Sequence, residues 1–304
     1  MTRLGDRYEL HHVVGRGGMG EVWAARDLRC GLDVAVKTAP GAPYEAAADL
    51  LRHEAAVTAA VDHPGVVGVH DTGADGATAY LVMDLLRGPD LSTVLREGPL
   101  PAAEAVRVAA AVADTLAAAH RVGVVHGDVK PANVVVGDDD GVTLVDFGAG
   151  APSGHRGAPL TFGTAPYMAP EQVRTRAVTP ATDVYALGCL LHATLTGRPP
   201  FLGDSPMAVL HRHVRERPPR LADLAHGVPP ELDEIVARML AKDPGLRGTA
   251  AEARDRLVAV GRTGALEGVA PRPAPQGADG LDPEATLPAL VLLPVAGGPL
   301  RRAA

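Results

Sequence analysis

Residues 124–136 read VVHGDVKPANVVV, and LVDFG follows at 144–148. Two β-branched runs favour strands. Between them lies a polar loop carrying Asp128, Lys130 and Asn133, and the next strand delivers Asp146. Moving a γ-phosphoryl group demands little bond chemistry from a protein. It demands metal ions on the phosphates, a group that orients the attacking hydroxyl, and charge compensation. Asp146 is an acceptor-only hard oxygen ligand suited to Mg²⁺, and Asn133 offers a carbonyl oxygen to a second ion. Asp128 can orient a hydroxyl and take its proton. Lys130 can offset charge on the moving group. A solvated polar turn would explain any one of these residues and does not explain the set.

Upstream, Tyr8 to about Tyr80 is mainly strand-like, with VVG, EVWAAR and LDVAVKTA parted by glycine-bearing turns. One helix is predicted over Glu45–Val61, with Leu50, Leu51, Val57 and Val61 at near-helical spacing and a stop before Pro64. GRGGMGEV at 15–22 sets Gly15, Gly17 and Gly20 in G-x-G-x-x-G spacing, and such glycines let backbone N–H groups approach phosphate oxygens. In a chain with 35 glycines that spacing also describes a plain hairpin turn. A dinucleotide fold would need a helix next, and EVWAAR reads as a strand. The following strand ends on Lys37, which can pair with phosphates if a carboxylate holds it; Glu54, on the predicted helix, is the candidate.

Downstream the expected helices are Pro101–His120, then one with Thr179 as N-cap and Gly197 as stop, then about 205–215, 230–241 and 249–260. From 263 to 304 the composition turns to Gly, Ala and Pro, which cannot bury enough apolar surface to offset ordering entropy, so a disordered tail is expected there. The chain of 304 residues is 46% hydrophobic and carries a net charge of -7. That excludes a basic nucleic-acid footprint. Two cysteines, Cys30 and Cys189, are too few for a disulfide framework and point to a reducing, cytoplasmic setting. Neither an export signal nor a membrane segment is read, because Pro288 and Pro294 interrupt the apolar stretch TLPALVLLPV.

Taken in order, GRGGMGEV, VAVK, Glu54, HGDVKPAN, DFG, GTAPYMAPE, DVYALG, LTGRPPF and Arg247 resemble a bacterial eukaryotic-type (Hanks-type) serine/threonine protein kinase over roughly residues 8–262. The resemblance implies an α+β, two-lobe fold, with an antiparallel-sheet lobe at about 8–83 and a mostly helical lobe at about 88–262. It implies ATP and Mg²⁺, with Mn²⁺ as an alternative ion, and protein substrates with Ser or Thr acceptors. The nucleotide would lie against Gly15, Arg16, Gly17, Gly18, Met19, Gly20, Val22, Ala35 and Lys37, with Met83, Asp84 and Leu86 along the hinge. Asp128, Lys130, Lys37, Glu54 and Thr164 would be catalytic, and Asn133 and Asp146 would hold metal. Glu171 would pair with Arg247, and Asp183 would hold the loop backbone. A homodimer is an alternative at family level only.

Gly127 departs from the family pattern, which has arginine there to bind a phosphorylated activation-loop residue. That departure implies weak control by loop phosphorylation. The same H-G-D form occurs in kinase-like small-molecule phosphotransferases, which remain open together with an ATP-binding pseudokinase.

Overall fold

The chain opens with a meander because short apolar alternations are parted by turns that only a few residues can make. β1 (Thr2–Leu4), β2 (Tyr8–Gly17), β3 (Gly20–Asp27) and β4 (Asp33–Ala39) run antiparallel in sequence. After helix α1 (Tyr44–Ala59), β5 (Val69–Asp75) and β6 (Thr78–Asp84) complete a six-stranded sheet of order β1-β2-β3-β4-β6-β5. The structure is a computed structural model and describes residues 2–17, 20–39, 44–138, 140–147, 151–152, 162–175 and 178–271. Gly18 and Met19 of the glycine-rich turn, Gly148, the loop hydroxyls Ser153 and Thr161, and the tail from 272 lie outside the described residues.

Side chains alternate across a strand, and register then decides which of them meet. Val34 and Val36 join Tyr8, Leu10, Ala25, Tyr80 and Val82 in one small core. Ala35 and Lys37 face the other way, Ala35 opposite Met83 on β6 and Lys37 opposite Val22 on β3. Pairing thus places Val22, Ala35, Lys37 and Met83 on one face of the sheet. Helix α1 packs on the sheet through Ala47, Ala48, Leu51 and Ala55. Leu50, counted in the expected apolar stripe, is exposed. Of the expected stripe, Leu51 and Val61 are buried and Val57 half-buried, and small alanines at 47, 48 and 55 complete the packed face beside Leu51.

The second lobe comprises α2 (Leu91–Leu95), α3 (Ala102–Arg121), β7 (Val124–Val125), β8 (Val134–Val136), β9 (Val142–Leu144), β10 (Ala151–Pro152), α4 (Pro170–Thr175), α5 (Pro180–Thr196), α6 (Pro206–Arg215), α7 (Leu221–Leu224), β11 (Ala225–His226), α8 (Pro230–Met239), α9 (Ala250–Gly261) and β12 (Ala270–Pro271). Among the described residues 3₁₀ turns at Pro131–Asn133, Phe162–Tyr167 and Pro244–Leu246 join them. Helix α5 is buried along nearly its whole length, as an all-round apolar helix must be. Its start is a capping box of Thr179 and Thr182, with Pro180 in the first turn, and its end is Gly197 at φ 76°. Helices α3, α8 and α9 close around it into one large core. The fold is the expected α+β, two-lobe arrangement.

Order persists past residue 262, which moves the expected tail boundary. Leu266 is buried in the main core, and Ala270 and Pro271 pair with His226 and Ala225. Composition alone hides this, because one leucine and two strand hydrogen-bonding residues suffice to anchor a Gly- and Pro-rich stretch. No helix among the described residues is long and apolar enough to cross a membrane.

Candidate active site

Two groups of the predicted residues come together, Lys37 with Glu54 and Asp146, and Asp128 with Lys130, Asn133 and Thr164. Lys37, projecting from β4, places its Nζ 2.7 and 2.8 Å from the two oxygens of Glu54 on α1. The same nitrogen lies 2.8 Å from Asp146 Oδ1, so one ammonium joins both lobes. Burial pulls the Lys37 ammonium down, but Asp146 and Glu54 outweigh it and hold the group above the usual lysine range. Burial opposes ionisation of Asp146 as well, and Lys37 overcomes it, so the Asp146 carboxyl sits below the usual carboxylate range. Asp146 also adopts φ 65°. A non-glycine residue there stores on the order of 1–3 kcal/mol, a strain that concentrates at functional sites.

The loop after β7 is wired through its backbone. Asp183 of α5, fully buried, accepts hydrogen bonds from the amides of His126 at 2.9 Å and Gly127 at 2.7 Å. His120 Nε2 lies 2.8 Å from the same carboxylate. His126 Nδ1 accepts the Asp128 amide at 3.2 Å. Its Nε2 therefore carries the proton and donates to Val145 O at 3.0 Å, while its ring packs 4.6 Å from that of Phe147. The strand before Asp146 and the loop before Asp128 are thus tied by one buried imidazole.

Asp128 has an asymmetric carboxylate. Its Oδ2 accepts from Lys130 Nζ at 2.8 Å and Asn133 Nδ2 at 3.3 Å, and its backbone carbonyl accepts from the same amide at 2.8 Å. Oδ1 is buried with no hydrogen-bond partner among the described residues. A buried unpaired oxygen costs about 1–3 kcal/mol, so this atom calls for a donor from outside the chain. Lys130 Nζ is also 3.3 Å from Thr164 Oγ1, in the segment that precedes α4.

The donor set fits a divalent cation. Asn133 spends its amide nitrogen on Asp128, which leaves its carbonyl oxygen without a partner among the described residues. Asp146 likewise engages only Oδ1. Two hard oxygens flanking the cleft are what Mg²⁺ takes, in company with phosphate oxygens and water. No cluster of three or more His, Cys, Asp or Glu able to hold a metal occurs among the described residues, so the two oxygens would need phosphate and water to complete a coordination shell.

Val22, Ala35 and Met83 line the sheet face beside Lys37. At the hinge, Asp84 donates its amide to Gly68 O at 2.9 Å, so that N–H is not available to a ligand. The Leu86 amide makes no hydrogen bond among the described residues. Gly15 and Gly17 lie on β2, and Arg16 is tied to Glu21 at 3.0 Å. Gly20 has a structural reason of its own: at φ 136° an added Cβ would stand 1.8 Å from Thr38 O. Sequence reasoning missed His120, and missed Gln172, whose Nε2 donates to Gly127 O at 2.9 Å. No local pattern marks either residue; each acts on a partner more than forty positions away.

Elsewhere Arg247, with a fully buried side chain, grips Glu171 through both guanidinium nitrogens at 2.6 and 2.8 Å. It thereby ties the end of the Thr164–Ala169 segment to the turn before α9.

Comparison with known proteins gives the family. The protein kinase domain model matches residues 8–257. The serine/threonine-protein kinase PknB of Mycolicibacterium smegmatis is 42% identical over 270 residues, covering 84% of this chain and 43% of the relative. PknB of Mycobacterium tuberculosis is 41% identical over 272 residues, covering 85% and 44%. The probable serine/threonine-protein kinase SCO3848 of Streptomyces coelicolor is 41% identical over 265 residues, covering 82% and 39%. The chain spans less than half the length of these relatives. It belongs to the protein kinase domain family, in the bacterial Hanks-type serine/threonine branch.

Proposed function

We propose that the chain transfers the γ-phosphoryl group of ATP to serine or threonine hydroxyls of protein substrates in a cytoplasmic setting. The observation that carries this reading is the wiring of Asp128. One oxygen is committed to Lys130 and Asn133, and the other is buried with no hydrogen-bond partner among the described residues. That oxygen is suited to accept the acceptor hydroxyl and its proton. Lys130, held between Asp128 and Thr164, stands where charge on the transferred group needs compensation. Lys37, fixed by Glu54, would pair with the α- and β-phosphates.

Asp146 and the Asn133 carbonyl oxygen would hold Mg²⁺, or Mn²⁺ with its like preference for hard oxygen, and the ion would supply neutralisation of the charge that develops on the phosphates. The adenine would lie between Ala35 and the hinge, with the Leu86 amide as donor. Thr164 and the segment up to Ala169 would seat the acceptor peptide. Gly127 has no side chain to bind a loop phosphate, so catalysis does not wait on loop phosphorylation.

Transfer of labelled γ-phosphate to a generic protein acceptor tests the reading, with Asp128→Asn and Thr161→Ala alongside. The expected result is label on serine or threonine, a loss of about 10²-fold or more in Asp128→Asn, and retained activity in Thr161→Ala. Label on a small-molecule acceptor alone, or nucleotide binding without turnover, would replace the proposal with a small-molecule phosphotransferase or a pseudokinase. Inactivity of Thr161→Ala would overturn the reading of Gly127.

A further inference from the structure

Helix α4 begins directly after the Thr164–Ala169 segment, and Gln172 stands in its first turn. The side chain is used at both ends. Its Oε1 accepts the Ala169 amide at 2.9 Å, the reach-back half of a capping box. A glutamate would make that bond equally well. Its Nε2 donates to Gly127 O at 2.9 Å, across 45 residues of sequence, and an ionised glutamate could not.

The peptide joining Gly127 to Asp128 is therefore held at both of its polar groups. Its carbonyl is fixed by Gln172, and its N–H by His126 Nδ1 at 3.2 Å. The peptide before it is anchored by the Gly127 amide on Asp183. With the plane preceding Asp128 immobilised, the direction in which the Asp128 side chain leaves the backbone is set.

We propose that Gln172 is a positioning residue for Asp128, coupling the backbone of the Thr164–Ala169 segment to the orientation of the carboxylate that receives the acceptor hydroxyl. The inference rests on the phosphoryl-transfer reading above. When the segment shifts, the Ala169 amide carries Gln172 with it and the Gly127 carbonyl loses its donor. When the segment is in place, Asp128 is aimed. In this chain an amide–carbonyl bond, made without phosphate, aligns the loop.

Gln172→Glu separates positioning from capping, since it keeps the acceptor for Ala169 and removes the donor to Gly127. At about pH 8 the introduced carboxyl is ionised and kcat should fall roughly tenfold, the rate equivalent of one lost hydrogen bond. The thermal midpoint and the KM for ATP should stay near wild type. Gln172→Leu, which lacks donor and acceptor, should lose at least as much kcat, again with the KM for ATP near wild type. A Gln172→Glu variant with wild-type kcat at about pH 8, or one whose loss lies in the KM for ATP and not in kcat, overturns the proposal. A wild-type chain that transfers no phosphate overturns instead the reading beneath it, and the Asp128→Asn comparison tells the two failures apart.

Discussion

Replacing Gly127 by alanine asks whether the backbone at the catalytic loop is forced into the left-handed region. Gly127 adopts φ 77°, with its amide on Asp183 and its carbonyl on Gln172. An L-residue held at such an angle costs about 1–2 kcal/mol. Alanine also reduces the freedom of the unfolded chain, which offsets about 0.4–1 kcal/mol. The net expectation is a destabilisation of about 1 kcal/mol. Escape by rotating the peptide is dearer, because it removes a hydrogen bond to the buried Asp183 carboxylate, worth about 1.5–3 kcal/mol. The strained conformation should therefore persist. For a domain of this size 1 kcal/mol lowers the thermal midpoint by about 2–4 °C. Gly127→Asn should lose less, since asparagine visits this region more readily. Thermal unfolding of both variants, repeated in an Asp183→Asn background, supplies the check. If Asp183 imposes the angle, the penalty of Gly127→Ala shrinks there. A Gly127→Ala protein as stable as wild type, or one less costly than Gly127→Asn, would show that nothing holds the loop at this angle. Arginine at this position would meet the same backbone constraint, from which glycine is free.

Two further predictions concern stability. Arg247→Met leaves the Glu171 carboxylate with the Thr182 hydroxyl but no cation, at a site where the arginine side chain is 0% and the glutamate 14% exposed. Stranding a buried charge costs about 3–5 kcal/mol, readable as a shifted urea midpoint, and a loss below about 1 kcal/mol would refute the assignment. His192 and His213 are held near pKa values of about 4 and about 3 by burial. Their folded values lie below the unfolded 6.5, so the neutral rings contribute stability that is intact above about pH 6.5 and is lost as pH falls toward about 4 and about 3, where the unfolded chain takes protons that the folded chain refuses. Each should contribute a slope of about 1.4 kcal/mol per pH unit in that window. His213→Gln should remove one such slope from the dependence of unfolding free energy on pH, and an unchanged slope would refute it.

Local signals in the sequence placed most elements because their causes are local. Thr179 with Pro180 starts α5 and Gly197 ends it, and Thr249 with Glu252 caps α9, whatever packs around them. The loop HGDVKPAN and the strand into DFG carried their chemistry in plain view, since residue types at short spacing define what a loop can do. Lys37 and Glu54 were legible as candidates because strand and helix each present one such residue toward one face. The short helices α2, α4 and α7 passed unseen, being too brief for a 3.6-residue period to emerge. The packing of Leu266 and the pairing of Ala270 with His226 are long-range events that Gly- and Pro-rich composition cannot announce. Above all, the clasp of Asp183 on two amides with His120 beside it, and the reach of Gln172 to Gly127, depend on helices that meet only after folding. The sequence determined which groups the site contains; tertiary packing decided what holds the backbone that carries Asp128, because hydrogen-bond partners are allotted by distance and direction in space, and chain order specifies neither.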